Sequence, residues 1–213
     1  MTTSKKRRQL SLPVGDDVAL KRILATTNSG PSAVYAPSDD SFLMIDAIAP
    51  LQLNGRKVLD IGTGSGILGL YCAMRGAQVT ASDVDELALE QVARNAEALG
   101  LQINLRLSDL FSDIPERFNL ILFNPPYLPS AEINDRSVDG GHDGTMRVHR
   151  FLEELPSHFD RRAEALLLLS SINHPASVQL RHRNLEFSTV ARKSLFFEEL
   201  QVLRVRLRHD LTV

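Results

Sequence analysis

Three stretches predict an α/β fold with a mostly parallel sheet that ends in an antiparallel pair. Leu120-Ile121-Leu122-Phe123 is a short apolar run, the pattern of a parallel strand covered on both faces. Lys57–Ile61, the turn Gly62-Thr63-Gly64-Ser65-Gly66 and the helical stretch Ile67–Met74 read as strand, glycine turn and helix. Residues 187–197 and 200–207 alternate apolar and polar as a closing pair of strands.

The elements between follow from local signals. Asp16-Asp17 caps a short helix carrying Leu20, Ile23 and Leu24. Ser38 or Asp39 caps a second helix with Phe42, Leu43, Ile45, Ile48 and Ala49, stopped at Pro50; capping alone accounts for its acids, and the rival reading sets Ser41 against a ligand at the helix start. A second strand spans 78–82 and ends at Asp83. The next helix runs from Asp85 to Leu99, with Leu87, Leu89, Val92, Ala93, Ala96 and Leu99 inward and Gly100 as its stop. A strand at 103–107, a helix at 145–155, a buried strand at 165–169 and a helix at 175–183 complete the order. The division expected is a tail and short helix over 1–33 and one domain over 34–213.

Composition narrows the function. The 213 residues are 43% hydrophobic and 23% charged, enough for one domain to bury a core without staples. A net charge of −2 supplies no field for nucleic acid, and Lys5-Lys6-Arg7-Arg8 reads as a solvated tail. Cys72 is the only cysteine, which rules out an intrachain disulfide and fits a reducing compartment. Among Leu68, Leu70 and Ala73 it reads as a small core residue. No apolar run reaches the length of a membrane span, so a cytoplasmic protein is expected. Six histidines without ligand spacing predict no metal site.

The chemistry concentrates at the carboxyl ends of the strands, where open α/β sheets bind ligands. Asn124-Pro125-Pro126-Tyr127 follows the apolar run at 120–123. The prolines remove two backbone donors, which leaves carbonyls free to accept beside an amide oxygen and a flat ring. That set suits a planar acceptor bearing an NH2 group. Gly64, Gly66 and Gly69 spell G-x-G-x-x-G, yet Asp60 at the end of the first strand repels a pyrophosphate and welcomes an ammonium or sulfonium. Asp83 stands where an acid holds ribose hydroxyls, and Asp109 with Leu110 suits an adenine. The stretch 128–144, with Gly140-Gly141-His142-Asp143-Gly144, is long enough to be a lid.

Together, residues 58–66, Asp83, Asp109-Leu110 and 124–127 resemble the ordered motifs of class I S-adenosylmethionine-dependent methyltransferases. Asp40-Ser41-Phe42, the Gly-Gly-x-x-Gly stretch and the terminal hairpin resemble the short HemK-type branch, which methylates the glutamine of the Gly-Gly-Gln motif in translation release factors. The resemblance implies a Rossmann-like, seven-stranded fold with S-adenosyl-L-methionine as cofactor. It implies that Ser41, Asp60, Gly62, Gly64 and Gly66 hold the methionine end, Asp83 the ribose, and Asp109 with Leu110 the adenine. Asn124, Pro125, Pro126 and Tyr127 would hold the acceptor, with Asn124 also against the cofactor. A release factor is the implied substrate, in some relatives with a small zinc-binding partner, and some members of the branch also modify lysine. Adenine N6-methylation of nucleic acid is the alternative reading of the same tetrapeptide, and a cofactor-binding regulatory subunit is the non-enzymatic one.

Overall fold

The computed structural model describes residues 17–27, 37–126 and 145–208. Parallel strands β1 (Lys57–Ile61), β2 (Gln78–Asp83), β3 (Ile103–Leu107), β4 (Phe118–Phe123) and β5 (Phe159–Ser170) join an antiparallel hairpin, β6 (Leu185–Ser194) and β7 (Glu199–Leu207). The order across the seven-stranded sheet is β3-β2-β1-β4-β5-β7-β6. Strand order therefore reverses between β1 and β4, the crevice where such sheets take their ligands.

Alternate residues of each strand feed opposite faces, as the two-residue period demands. Val58, Leu120, Leu122, Leu166 and Leu168 pack on one side with α1 (Asp17–Thr27), α2 (Asp39–Ile48), α3 (Ile67–Met74) and α4 (Glu86–Leu99). Leu59, Ile121, Phe123, Ala165 and Leu167 pack on the other with α5 (Met146–Glu154) and α6 (Pro175–Arg181). Leu20 and Ile23 of α1 are wholly buried in the first layer. Cys72 is free and buried there too, and burial pushes its thiol well above the ordinary range.

Three expectations need correction. Leu87 is 53% exposed and Ala93 is exposed, so the buried face of α4 is rotated from the one predicted. Gln91 and Asn95 take the inward positions because their amides are partnered there: Gln91 Nε2 donates to Asn95 Oδ1 at 2.9 Å, Asn95 Nδ2 donates to Ser65 O and Gln91 Oε1 accepts from Arg94. β5 begins at Phe159, six residues before the apolar run. Its polar start Asp160-Arg161-Arg162 is irregular, with Arg162 at φ 58° and a register shift against β4. β6 ends at Ser194, where a turn closes by Leu195 N–H donating to Glu198 O at 2.8 Å. Phe196 and Phe197 sit on that turn, 91% and 90% exposed, instead of in the strand.

Glu164 of β5 gathers the sheet at the end opposite the crevice. Arg56, just before β1, lies 3.4 Å from its carboxylate, and Arg204 and Arg206 of β7 lie at 3.2 and 2.7 Å. Glu164 is buried while the arginines keep part of their water. Glu164→Gln leaves three guanidiniums around a neutral group. We expect a loss of about 1–3 kcal/mol in urea unfolding, below the range for removing one partner of a wholly buried pair. An unchanged urea midpoint would show the cluster to be neutral in net effect.

Candidate active site

β1 and β4 set the frame, pairing Ile61 with Phe123 so that the residues after each strand emerge side by side. After Ile61 comes the glycine turn. Thr63 N–H donates to Ser82 O at 3.0 Å, and Gly66 N–H donates to Thr63 O at 2.9 Å. Gly62 and Gly64 adopt φ of 61° and 52°, left-handed values that favour glycine. A Cβ on Gly64 would meet nothing within 4 Å among the described residues, so that side of the turn is open. Gly66 is different. A Cβ there would stand 2.7 Å from Val92, so this glycine serves the packing of α4 against the turn. Asn95 Nδ2, donating to Ser65 O at 3.3 Å, adds a second tie between α4 and the turn.

Asp60 is buried under the turn, where its Oδ2 accepts from Thr63 Oγ1 at 2.7 Å and Gly69 N–H at 3.0 Å. Desolvation outweighs those bonds, and its carboxyl is pushed up to about 6. Asp83 closes the other side. Its Oδ2 accepts from Gly64 N–H at 3.0 Å and its Oδ1 from Asp85 N–H at 3.1 Å, and burial raises its pKa. Asp85, not Asp83, caps α4, its side chain accepting from Leu87 N–H at 2.9 Å.

Ser108 N–H donates to Asp83 O at 2.9 Å, which brings the Asp109-Leu110 turn beside Asp83. Leu110 is buried at φ 54°, a left-handed conformation that costs a non-glycine residue about 1–3 kcal/mol. Ser108 Oγ holds the turn, donating to Leu110 O at 3.1 Å and accepting from Asp113 N–H at 3.0 Å. The Asp109 carboxylate is engaged from outside, where Arg150 Nη1 of α5 donates to Oδ2 at 2.5 Å. The Asp109 carboxylate is thus already tied to an arginine, a partner that no local sequence signal predicts.

Asn124 stands at the end of β4, followed by buried Pro125 and half-buried Pro126. Its Nδ2 donates to Asp40 Oδ2 at 3.0 Å. Its Oδ1 is buried and has no hydrogen-bond partner among the described residues. Asp40 is also buried, and its Oδ1 accepts from Ser41 N–H at 2.6 Å, Ser38 Oγ at 2.6 Å and Ser41 Oγ at 3.3 Å. Capping therefore does not account for the acids of α2. Ser38 occupies the N-cap position without a side-chain cap bond, Asp39 pairs with Lys193 at 3.0 Å, and Asp40 reaches the site. Tyr127 and the stretch 128–144 lie outside the described residues.

The donor set fits S-adenosylmethionine. Asp60 and Asp83 offer negative charge to a cationic ligand with hydroxyls, the Gly62–Gly64 backbone leaves space for it, and the Asn124 oxygen awaits a donor. Among the described residues no group of histidine, cysteine and acidic side chains could hold a metal ion, and no helix is long and apolar enough to cross a membrane.

Comparison with known proteins agrees with this geometry. Residues 39–139 match the family model described as the methyltransferase small domain. A protein of Methanocaldococcus jannaschii named as an N5-glutamine methyltransferase is 32% identical over 179 residues, covering 80% of this chain and 90% of its own. The human methyltransferase HEMK2 is 27% identical over 191 residues, covering 81% and 89%. Among solved structures, the Mtq2–Trm112 complex of E. cuniculi superposes with a TM-score of 0.69 at 24% identity, over 83% of this chain and 99% of that one. The chain belongs to the HemK-type family of class I S-adenosylmethionine-dependent methyltransferases.

Proposed function

We propose that this enzyme methylates the side-chain amide nitrogen of a protein glutamine, the one in the Gly-Gly-Gln motif of a translation release factor. One observation carries the reading: the buried Asn124 oxygen without a partner among the described residues, at the carboxyl end of β4 beside the crevice. The M. jannaschii relative is named for N5-glutamine methylation, and the structural neighbour's complex methylates the termination factor eRF1. That neighbour is bound to Trm112, which supports a small activator for this chain as well, a zinc-binding one in our reading. A substrate of the translation machinery goes with a cytoplasmic setting.

S-adenosylmethionine, when bound, supplies a methyl group on a sulfonium. The protein's task is to present the acceptor. An amide nitrogen is a poor nucleophile because its lone pair is delocalised into the carbonyl. Asn124 Oδ1 and the Pro125 carbonyl accept its two N–H groups, fixing the nitrogen and favouring its pyramidal form, and Tyr127 stacks on the amide plane. Ser41, Asp60, Gly62 and Gly64 bind the methionine end, Asp83 the ribose, and Leu110 the adenine, with Asp109 at its rim. Gly66 shapes the turn from behind. Rate then comes from alignment and fixed dipoles.

Two outcomes are expected. Asn124→Ala should bind cofactor as before in calorimetry while transfer of labelled methyl to a release factor falls by about 100-fold or more, as when a transition-state contact is lost. Parallel loss of cofactor affinity would make Asn124 a structural residue. The second concerns Asp60. Its folded value of about 6 stands above the ordinary 3.8, so protonation favours the empty fold. Its contribution to stability is complete below 3.8 and is lost as pH rises through about 6. A cation needs the carboxylate, so cofactor affinity should weaken as pH falls below about 6, by up to about tenfold per unit. Titration calorimetry from pH 7.5 to 5 checks this, and Asp60→Asn should flatten the slope.

A further inference from the structure

We infer that Asp40 is the positioning residue that fixes which atom Asn124 shows to the acceptor, an inference that rests on the glutamine-amide reading above. A side-chain amide can present either oxygen or NH2 after a half-turn, and only the oxygen can accept from a substrate N–H. Asp40 decides between them. Its Oδ2 lies 3.0 Å from one end of the Asn124 amide, and an ionised carboxylate accepts only, so that end is the NH2. The other end, Oδ1, is thereby turned to where nothing among the described residues meets it.

Asp40 is itself locked. Its Oδ1 receives the Ser41 N–H and the Ser38 hydroxyl, both at 2.6 Å, with the Ser41 hydroxyl at 3.3 Å, so the carboxylate cannot turn without losing donors from the start of α2. The chain of bonds runs from α2 through Asp40 to Asn124, across 84 residues of sequence. Burial of both Asp40 and the Asn124 oxygen keeps the pair free of competing water. The carboxylate touches no reacting atom and acts through Asn124.

This arrangement predicts a polarity swap. In Asp40→Asn the new amide keeps its oxygen toward Ser41 N–H and Ser38, because only an acceptor can stand there. Its NH2 then faces Asn124, which turns over and offers NH2 to a substrate that also offers N–H. Transfer should fall about as far as in Asn124→Ala, in kcat more than KM, with cofactor affinity in calorimetry changed less than about threefold. Asn124→Asp alone sets two carboxylates against each other and should be as impaired. The double variant Asp40→Asn with Asn124→Asp restores complementarity, since the new amide donates to the new carboxylate, whose second oxygen again accepts.

The experiment measures labelled methyl transfer to a Gly-Gly-Gln release factor for the native protein, Asn124→Ala, the two single variants and the double variant, with thermal melting to show that each folds. It adds the side-chain amide protons of Asn124, assigned by their loss in Asn124→Ala. We expect those protons downfield in the native protein and shifted upfield in Asp40→Asn, and a double variant at least tenfold faster than either single. An Asp40→Asn enzyme with more than half the native kcat, or a double variant no faster than its parents, overturns the inference. Should Asn124→Ala itself keep native transfer, the acceptor reading fails first and the role of Asp40 with it.

Discussion

The parallel pairing of β1 with β4 is the contact on which the site depends. It sets Ile61 beside Phe123, so that the glycine turn and Asn124, whose Oδ1 has no partner among the described residues, leave the sheet at the same height. Neither strand could supply this alone. The apolar residues that alternate across both strands, Leu59 and Ile121 to one layer, Val58 and Leu120 to the other, fix the register, because a slip of one residue would turn every core side chain to the wrong face. Packing thus sets the geometry of the chemistry.

Three acids, Asp40, Asp60 and Asp83, stand along the crevice, and each is held by donors from its own neighbourhood. Backbone N–H groups of Ser41, Gly69 and Gly64 give one bond to each, beside the Ser38, Ser41 and Thr63 hydroxyls, which orients the carboxylates without neutralising them. Four of the described arginines lie away from these three acids. Arg56, Arg204 and Arg206 converge on Glu164, and Arg150 covers Asp109 at the rim. Negative charge is therefore concentrated along the crevice, and the raised values of Asp60 and Asp83 reflect burial first.

Much of this was legible in the sequence because period and punctuation are local. Lys57–Ile61 with its glycines, Ile103–Leu107 and the stop at Gly100 stand where the residues predict them. What escaped was non-local or masked by composition. An acid at the start of a helix is so often a cap that Asp40 gives no sign of a partner 84 residues away. Asp160-Arg161-Arg162 hides the start of β5 because an irregular strand end carries polar residues. Phe196 and Phe197 continue an alternation past the point where the chain turns, since periodicity does not know which face will be covered. On α4 the buried amides Gln91 and Asn95 read as a polar face, and their mutual bond together with the Asn95 bond to Ser65 O explains their place inside.

The irregularity between Thr189 and Ala191 in β6 has a bearing on how the protein behaves in concentrated solution. β6 is an outer strand of ten residues, and such an edge is a template on which another chain can add. The extra residue opposite β7 interrupts the even ladder of donors and acceptors, while Glu186, Arg192 and Lys193 load the same strand with charge. A second copy offering its own edge would meet mismatched spacing and desolvated charge. The hairpin that completes the sheet thereby presents a broken, charged edge to any neighbouring strand.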